Sequence, residues 1–331
     1  MKKIFILQFS IFISLNGIGQ IINNKPVDIA IGLIDFNSEL VKKNRIKKID
    51  ITIVDKPDGN IIIDKGARRG YEFNENGYVS KYYYTIFNRI QSEEVLIPAI
   101  KKNGRIIKAE SIRNTIKYIN DTIFINAYYD NQNRIITKRV KSGEYFDTFY
   151  YEYNGKGQMI KKLHFKETNI SENKNEFILG VQNELSSEFF NYEMITLAQT
   201  KIRCINDEGR EYKKVIINFD DNENVLSKTH EFIVSWMRQE STYKYDENGK
   251  LLKKTFETNE SNEIKEYSLF EYDKSGALLT EIKFKDNVLS NEINYLYDES
   301  NTFIKSEVNR DHTNASIVIV KYSYAFYNNF K

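Results

Sequence analysis

The chain has 331 residues, which is enough to bury a large core as one long domain or two. Its 48 basic and 46 acidic side chains give a net charge of only +2, which excludes the concentrated positive charge of a nucleic-acid-binding protein. Tyr (23) and Phe (21) are abundant and Pro is rare (3), a composition that excludes collagen, coiled coil and disorder and favours paired β-strands.

The N-terminus has the layout of a secretory signal peptide. Two lysines precede a mostly apolar run, Ile4 to Leu15, and Gly17 and Gly19 stand before a cleavage point ahead of Gln20. This run is too short to span a bilayer as a permanent helix. We therefore predict a signal peptide over residues 1–19, an extracytoplasmic location (periplasm, cell surface or secreted) and no integral membrane span after its removal. A buried N-terminal strand is the alternative interpretation.

Residues 20–66 are predicted to form an N-terminal cap segment. The stretch "DFNSELVKKNRIKKI", Asp35 to Ile49, has the apolar spacing of a helix, and the first strand is expected near Ile49 to Asp55. Residues 67–331 are predicted to form one repeat domain, with a diverged or inserted region near 166–204.

A turn motif recurs through the repeat domain with a period of about 25 residues. An apolar anchor is followed four places later by Gly or Asn at Phe73, Ile100, Tyr129, Tyr153, Tyr245, Tyr272 and Tyr297. Weaker copies begin at Ile205 and Phe219. A fixed period of this length is typical of repeat architectures, so the domain is predicted to be built from repeated units.

The turn residues predict that each unit is a β-hairpin. An Asp or Asn after the anchor can accept hydrogen bonds from backbone N–H groups of the turn, and the Gly that follows supplies the positive φ of a type I turn with a G1 bulge. The predicted structural turn residues are Asp246, Gly249, Asp273, Gly276, Asn154, Gly157, Asn74 and Gly77.

Apolar residues alternate on both sides of each turn, which predicts one apolar and one wet face per hairpin. Tyr151 and Tyr153 are expected to share a face entering one turn, and Met159, Leu163 and Phe165 to share a face leaving it. Because a lone hairpin is marginal in water, neighbouring hairpins must bury the apolar face together. The predicted fold class is mainly all-β, an extended antiparallel sheet of repeated β-hairpins with one or two short helices.

The diverged region departs from the hairpin pattern. The stretch "QNELSSEFFNYEMITLAQ", Gln182 to Gln199, puts Leu185, Phe189 and Tyr192 on one helical face and predicts a helix. The polar connection from Lys166 to Asn175 is expected to be a loop.

The complete motif, aromatic-Asp-x-x-Gly-x-Leu, occurs at Tyr245, Asp246, Gly249 and Leu251 and again at Tyr272, Asp273, Gly276 and Leu278. It resembles the YD repeats of the RHS family. From Tyr71 to about Ser306, the chain is also similar to the short secreted YD-containing proteins of the Bacteroidetes. The resemblance implies β-hairpin repeats outside the cytoplasm.

No catalytic or metal-binding motif occurs in the sequence. His164, His230 and His312 are far apart, and Cys204 is the only cysteine, so neither a metal site nor an intramolecular disulfide is predicted. His164 is expected on the wet face of its strand. The acidic stretches "DKPDGN" and "DDNEN", the second from Asp220, lack calcium-loop spacing, and turn capping is expected of them. We predict no catalytic residue, metal ligand or cofactor, and the sequence names no binding-site residue.

Runs of adjacent tyrosines, such as Tyr82 to Tyr84 and Tyr150 with Tyr151, cannot face one core together. Some of these rings must lie on the outer face of the sheet. Cross-strand pairing is one interpretation, and a surface that stacks on sugars or contacts another protein is the other.

The expected function is that of an extracytoplasmic, non-catalytic repeat protein with a structural or binding role, whose partner is a glycan or a cell-surface protein. The alternatives are an outer-membrane β-barrel, an enzyme with a site assembled across strands, and a shell fragment of a toxin system. A lipid-facing surface must be continuously apolar, whereas Lys253 and Lys254 place charge on both faces of one strand, which disfavours the membrane barrel.

Overall fold

The computed structural model describes residues 36–328 except 58, 60, 103–104, 109–110, 174–175 and 260–263. The predicted signal peptide, residues 1–19, lies outside the described residues, and so does the beginning of the predicted cap segment, residues 20–35. Within the described part of the chain, no helix combines the length and the apolar character needed to cross a membrane.

The described chain folds almost entirely into strands, which confirms the predicted all-β class. Its one helix, α1, covers Ser38–Lys43. The first ten strands are β1 (Ile46–Pro57), β2 (Ile63–Phe73), β3 (Val79–Ile97), β4 (Ile100–Lys102), β5 (Arg105–Lys108), β6 (Ser111–Tyr129), β7 (Ile135–Ser142), β8 (Tyr145–Tyr153), β9 (Met159–Asn169) and β10 (Leu179–Thr196). The other ten are β11 (Gln199–Asn206), β12 (Glu211–Phe219), β13 (Val225–Phe232), β14 (Arg238–Tyr245), β15 (Leu251–Thr258), β16 (Ile264–Tyr272), β17 (Leu278–Lys285), β18 (Val288–Tyr297), β19 (Ile304–Asp311) and β20 (Ser316–Phe326).

In the described chain, 18 of these strands form one closed antiparallel sheet. Each strand pairs with its neighbours along the chain, β3 pairs with β6, and β1 closes the sheet by pairing with both β2 and β20. The remaining strands, β4 and β5, form a small hairpin within the connection from β3 to β6. The predicted antiparallel sheet of repeated hairpins is therefore confirmed, and the structure adds that it closes on itself.

Because neighbouring strands are antiparallel, successive connections alternate between the two ends of the closed sheet. One end, called here the motif end, carries the turns at 74–77, 130–133, 154–157, 220–223, 246–249, 273–276 and 298–301. The opposite end, called the far end, includes the connections at 170–178 and 312–315 and the weaker motif copy at 206–209. Six of the seven main copies of the motif thus lie together at one end of the sheet, whereas the copy at Ile100 falls in the β4–β5 hairpin.

The helix predicted within Asp35 to Ile49 is present as the short α1. Asn37 caps its first turn by accepting a hydrogen bond from the Leu40 N–H at 3.1 Å. Arg45, just beyond the helix, has a positive φ of 55° and turns the chain into β1. That strand begins at Ile46, slightly before the predicted start.

The helix predicted over Gln182 to Gln199 is wrong, because this segment forms most of β10. Leu185 and Phe189 are four residues apart, and this spacing aligns two side chains on a strand as well as on a helix. β10 pairs with β9 through its first half and with β11 through its second half, so long-range pairing decides its conformation. The loop expected from Lys166 begins later, since β9 continues to Asn169.

The face of the sheet that points to its interior, the inner face, carries three apolar clusters beside the motif end. The first joins α1 to the sheet through Phe36, Val41, Ile46, Ile49, Ile51, Tyr71, Phe73 and Val79. The second contains Ala127, Ile135, Tyr151, Met159, Phe190, Cys204 and Val215. The third contains Tyr243, Leu251, Phe270 and Leu278. The core therefore follows the wall of the closed sheet from one repeat to the next.

A shift of strand register beside the motif turns changes the predicted faces. Tyr153 pairs with Met159, whereas Tyr151 pairs with Lys162, so the outgoing strand contains one extra residue. Met159 therefore lies on the inner face with Tyr151, and Leu163 lies on the outer face. The prediction that Met159 and Leu163 share a face is wrong, because a β-bulge reverses the alternation.

Candidate functional site

The predicted structural turn residues lie at the motif end. At the turn 246–249, the Asp246 carboxylate accepts hydrogen bonds from the N–H groups of Asn248 at 2.9 Å and Lys250 at 2.8 Å. Gly249 closes the turn with a φ of +76°, a value that favours glycine. Every contact of this cap lies within five residues of sequence.

The other predicted pairs have the same geometry. They are Asp273 with Gly276, Asn154 with Gly157 and Asn74 with Gly77, and their glycines have φ values of +94°, +78° and +83°. The capped N–H groups, at Ala277, Gln158 and Tyr78, lie 2.8, 3.0 and 3.0 Å from the side-chain oxygen. These residues shape turns and bring no reactive groups together.

The hydroxyl of the motif tyrosine connects one repeat to the next, a role that sequence reasoning missed. Each hydroxyl donates a hydrogen bond to the carbonyl of the first residue of the strand that leaves the preceding motif turn. The pairs are Tyr129 with Val79, Tyr153 with Ile135, Tyr245 with Val225, Tyr272 with Leu251 and Tyr297 with Leu278, at 2.8–3.0 Å. Tyr324 of β20, which is not part of the motif, donates in the same way to the Ile304 carbonyl at 2.9 Å. The preference for Tyr over Phe at the anchor position was the sequence signal from which this role of the hydroxyl could have been predicted.

A cavity of about 720 Å³ lies against the inner face between β15 and β19. Its apolar lining includes Leu251, Phe256 and Phe270. Its polar lining includes Lys254, Glu266, Ser268, Glu281, Lys283 and Lys285. The far-end turn at 312–315 contributes Thr313 and Asn314 to its border. This volume lies within the range of small-molecule sites, about 300–1,000 Å³.

Strand register places the polar groups in two rows. Lys254 lies opposite Ser268, and Ser268 lies opposite Lys283. In the adjacent row, Glu266 lies opposite Lys285. Since opposite Cβ atoms are about 5 Å apart, Lys254 and Lys283 flank the Ser268 hydroxyl, whereas Lys285 lies diagonal to it, beside Glu266.

The charged side chains of the cavity differ in their partners, because some form ion pairs or backbone hydrogen bonds and others do not. Glu281 forms an ion pair with Lys283 at 3.4 Å, and Asp311 accepts hydrogen bonds from the backbone of its own turn. Within the described ranges, no carboxylate forms an ion pair with Lys254 or Lys285. Lys285 nevertheless lies directly opposite Glu266, and the cavity lining as a whole contains three lysines and three carboxylates.

Glu281 also belongs to a cluster of two carboxyls and two tyrosines on the inner face. The Tyr322 hydroxyl donates to Glu307, and the Tyr295 hydroxyl donates to Glu281 at 3.4 Å. Burial raises the pKa of Glu307, and the charge of Glu281 raises it further, against the hydrogen bond from Tyr322. Burial and the neighbouring Glu281 thus oppose ionisation of Glu307, whereas the Tyr322 hydroxyl favours it.

The histidine and cysteine side chains do not form a site. His164, predicted on the wet face, lies on the inner face because of the same bulge, with its ring 4.4 Å from that of Phe149 and its Nε2 atom 3.3 Å from Asp147. Cys204 is buried. Asp220 caps its own turn through two backbone N–H groups. No group of three or more His, Cys, Asp or Glu side chains in the described part of the chain could hold a metal ion.

Tyrosines that lie on the outer face have partners within the chain. The ring of Tyr83 covers Gly70 on the neighbouring strand, and its hydroxyl donates to Asp50 at 2.5 Å. The hydroxyl of Tyr150 donates to Glu167 at 2.6 Å. These contacts favour the cross-strand pairing interpretation over a row of rings free to stack on sugars.

A second polar cluster, on the outer face beside the connection from β9 to β10, also went unpredicted. Glu167 has no exposed surface. Its carboxylate accepts hydrogen bonds from Tyr150 (2.6 Å), Thr148 (2.7 Å), Gln182 (2.7 Å) and Arg139 (3.1 Å). The ring of Phe177 lies 4.1 Å from the Arg139 guanidinium and covers it. Arg139 and Glu167 are 28 residues apart, so no local pattern marks the cluster.

Hydrogen bonding controls the charge of Glu167. Burial alone would raise the pKa of its carboxyl. The hydrogen bonds from Tyr150, Thr148 and Arg139 outweigh burial and hold the pKa of Glu167 below its usual value. The cluster is thus a buried ion pair, and donors from several strands complete the hydrogen bonding of its carboxylate. It fixes the β9–β10 connection on the outer face.

No family model matches the chain, and no curated protein matches its sequence. Among solved structures, the chain is similar to a porin-like protein from Bacteroides uniformis, with 10% identity over 85% of this chain and 98% of that chain and a TM-score of 0.38. A porin-like protein from Bacteroides vulgatus has 11% identity over 62% and 94%, with a TM-score of 0.27. TcdB2-TccC3-TEV has 9% identity over 79% of this chain and 21% of that chain, with a TM-score of 0.20. The description of the fold therefore rests on the strand pairing of the chain itself.

Proposed function

We propose that the chain is an extracytoplasmic, non-catalytic repeat protein of the YD type that binds a small polar ligand inside its closed sheet. A glycan is the ligand class that we propose. The observation that carries this proposal is the cavity of about 720 Å³, in which aromatic rings lie next to lysine, carboxylate and hydroxyl groups. The tyrosine hydrogen bonds between repeats support the role of the sheet as a rigid frame around that cavity.

The groups in the cavity support binding rather than catalysis. A general acid and a general base must each reach the reacting atoms. Glu281 is instead paired with Lys283, and Asp311 is engaged in its own turn. The cavity offers hydrogen bonds, charge and an apolar wall, which are the requirements of a binding site.

A glycan binding screen on the chain from Gln20 onward tests this proposal. We expect saturable binding that is abolished by Ser268→Trp, because the indole would fill the cavity. Glu271→Trp is the matched control, since Glu271 is exposed on the outer face of the same strand, β16. Absence of saturable binding throughout the screen would refute the binding function, and equal binding by both variants would move the site elsewhere.

A membrane-embedded barrel is the second candidate, favoured by the closed antiparallel sheet of 18 strands connected in sequence. Its outer face argues against this candidate. Ion pairs there include the cross-strand pairs Lys201 with Glu193 and Lys265 with Glu257, at 3.5 and 2.7 Å, and the pair Arg238 with Glu240 along β14, at 2.9 Å. Charge at these positions would interrupt an apolar band facing lipid.

Fractionation of cells that produce the chain separates the two candidates. The binding-protein proposal expects release by a carbonate wash of the membranes. Retention in the membrane until detergent is added would favour the barrel.

A further inference from the structure

We propose that the protein self-associates: a second copy of the chain covers an apolar face of the long hairpin that β3 and β6 form at the far end of the sheet. Each of these strands has 19 residues, more than any other strand of the described chain. The inference goes beyond the proposed function, because this hairpin lies outside the cavity.

The outer part of the hairpin, called here the arm, consists of residues 87–97 of β3 and 111–120 of β6. β2 pairs with β3 only as far as Tyr84, and β7 pairs with β6 only as far as Ile125. In the described part of the arm, β3 then pairs with β6 alone over nine residue pairs beyond Phe87, about 30 Å at about 3.3 Å per residue. Because a two-stranded hairpin is marginal in water by itself, contact with another surface would stabilise the arm.

A bulge in β3 keeps one face of the arm apolar along its length. β3 contains one extra residue between Phe87 and Arg89, whereas β6 continues without interruption. The side that carries Phe87 therefore continues with Ile90 and Tyr118, and the ring centroids of Phe87 and Tyr118 are 6.3 Å apart. This side is called the apolar face, and its large side chains are Phe87, Ile90, Leu96, Ile112, Ile116 and Tyr118.

The opposite side of the arm is charged. It carries Arg89, Gln91, Glu93 and Lys117, and Lys117 forms an ion pair with Glu93 at 3.4 Å. A two-faced antiparallel sheet normally leaves its polar side to water and packs its apolar side on another surface. The apolar face of the arm is the side that lacks such a surface within the described chain, as the exposure of its side chains shows.

The exposed area of the apolar face is what a dimer requires. Phe87, Ile90, Leu96, Ile112 and Ile116 are 53–65% exposed. At roughly 100 Å² for each of these side chains, the face presents about 500 Å² of apolar surface, as much as the largest patches of typical monomers. Two such faces packed on each other bury about 1,000 Å² in total, which reaches the size of a specific interface.

A polar pair within the apolar face favours a second copy over a lipid surface. Glu94 lies opposite Asn114 in the row between Ile116 and Ile112, and both polar side chains are exposed. Lipid would take the carboxylate out of water without giving it a partner, which is costly. In a two-fold contact whose axis runs along the arm, β3 of one copy lies over β6 of the other. Glu94 then faces the side-chain amide of Asn114, which can donate a hydrogen bond to it.

Analytical ultracentrifugation of the chain from Gln20 onward, at about 1–100 µM, tests the inference. We expect a monomer–dimer equilibrium with a dissociation constant on the order of 10 µM, because the interface is small. Leu96→Lys and Ile116→Lys should each weaken association at least about tenfold, since the contact would bury an ammonium group. Val95→Lys is the matched control, because Val95 precedes Leu96, is 43% exposed and lies on the charged side, and it should leave the constant unchanged.

The other outcomes each contradict the inference. A monomer throughout the concentration range would overturn it. A dimer that survives both changes on the apolar face, or that Val95→Lys weakens equally, would place the contact elsewhere. Lipid would be the occupant if the chain stays monomeric and floats with phosphatidylglycerol vesicles, provided that Leu96→Lys abolishes flotation and Val95→Lys does not. Far-UV circular dichroism like that of the parent shows that each variant is folded.

Discussion

The two ends of the closed sheet are stabilised by different kinds of contact. At the motif end, a turn such as 273–276 carries its own cap and glycine, and Tyr272 connects it to the preceding repeat. Beside the connection from β9 to β10, Glu167 and Arg139 meet from distant strands and are buried together. Local sequence determines the first region, whereas the second depends on the completed sheet.

The largest effect is expected from Glu167→Ala. The change leaves the Arg139 guanidinium, which is 15% exposed, without its carboxylate, and loss of one partner of a buried pair costs about 3–5 kcal/mol. Urea unfolding followed by far-UV circular dichroism measures the loss. Glu152→Ala is the control, because Glu152 is 53% exposed and its ion pair with Lys161 contributes less than about 1 kcal/mol. Equal losses in the two variants would show that the cluster adds nothing beyond a surface ion pair.

The next effect is a difference between two glycines of the motif end. Gly77→Ala and Gly157→Ala both place a side chain at positive φ, which costs about 1–2 kcal/mol. A Cβ at Gly77 would collide with the backbone carbonyl of Ser38 in α1, whereas a Cβ at Gly157 meets no atom within 4 Å. We expect Gly77→Ala to lose about 1–3 kcal/mol more stability in the same unfolding assay. Similar losses would mean that α1 does not pack on this turn.

A smaller effect is expected from Tyr272→Phe. The change removes the hydroxyl that donates to the Leu251 carbonyl at 2.8 Å, and loss of such a hydrogen bond costs about 1–2 kcal/mol. Tyr267→Phe is the control, because the Tyr267 ring stacks on Phe284 on the outer face, and surface changes usually stay within about 0.5 kcal/mol. If both variants are as stable as the parent, the tyrosine contacts do not hold the repeats together.

The contrast between the two regions also explains what could be predicted from the sequence. The caps at Asp273 involve contacts within a few residues, so spacing and residue type are sufficient to propose them. The target of the Tyr272 hydroxyl depends on which strands become neighbours, and the four-residue spacing of Leu185 and Phe189 fits a strand as well as a helix. Glu167 gives no local signal, because side chains from three other strands, β7, β8 and β10, complete its environment. The cavity follows only from closure of the sheet, which the sequence left undecided.

The smallest effect is a pH dependence at the motif end. The hydrogen bond from the Ser275 hydroxyl, joined by the Ala277 N–H, lowers the pKa of Asp273 from 3.8 to about 2. Because the folded value lies below the unfolded one, this carboxylate stabilises the fold fully above about pH 4, and that contribution is lost as the pH falls through about 2. Asp273 is largely open to solvent, so screening limits the contribution to less than about 1 kcal/mol.

Asp273→Asn keeps a capping oxygen but removes the charge. The stability difference between the parent and this variant, measured by urea unfolding at several pH values, should therefore shrink between pH 5 and pH 2. A constant difference across this range would show that the charge of Asp273 does not contribute to the stability of the turn.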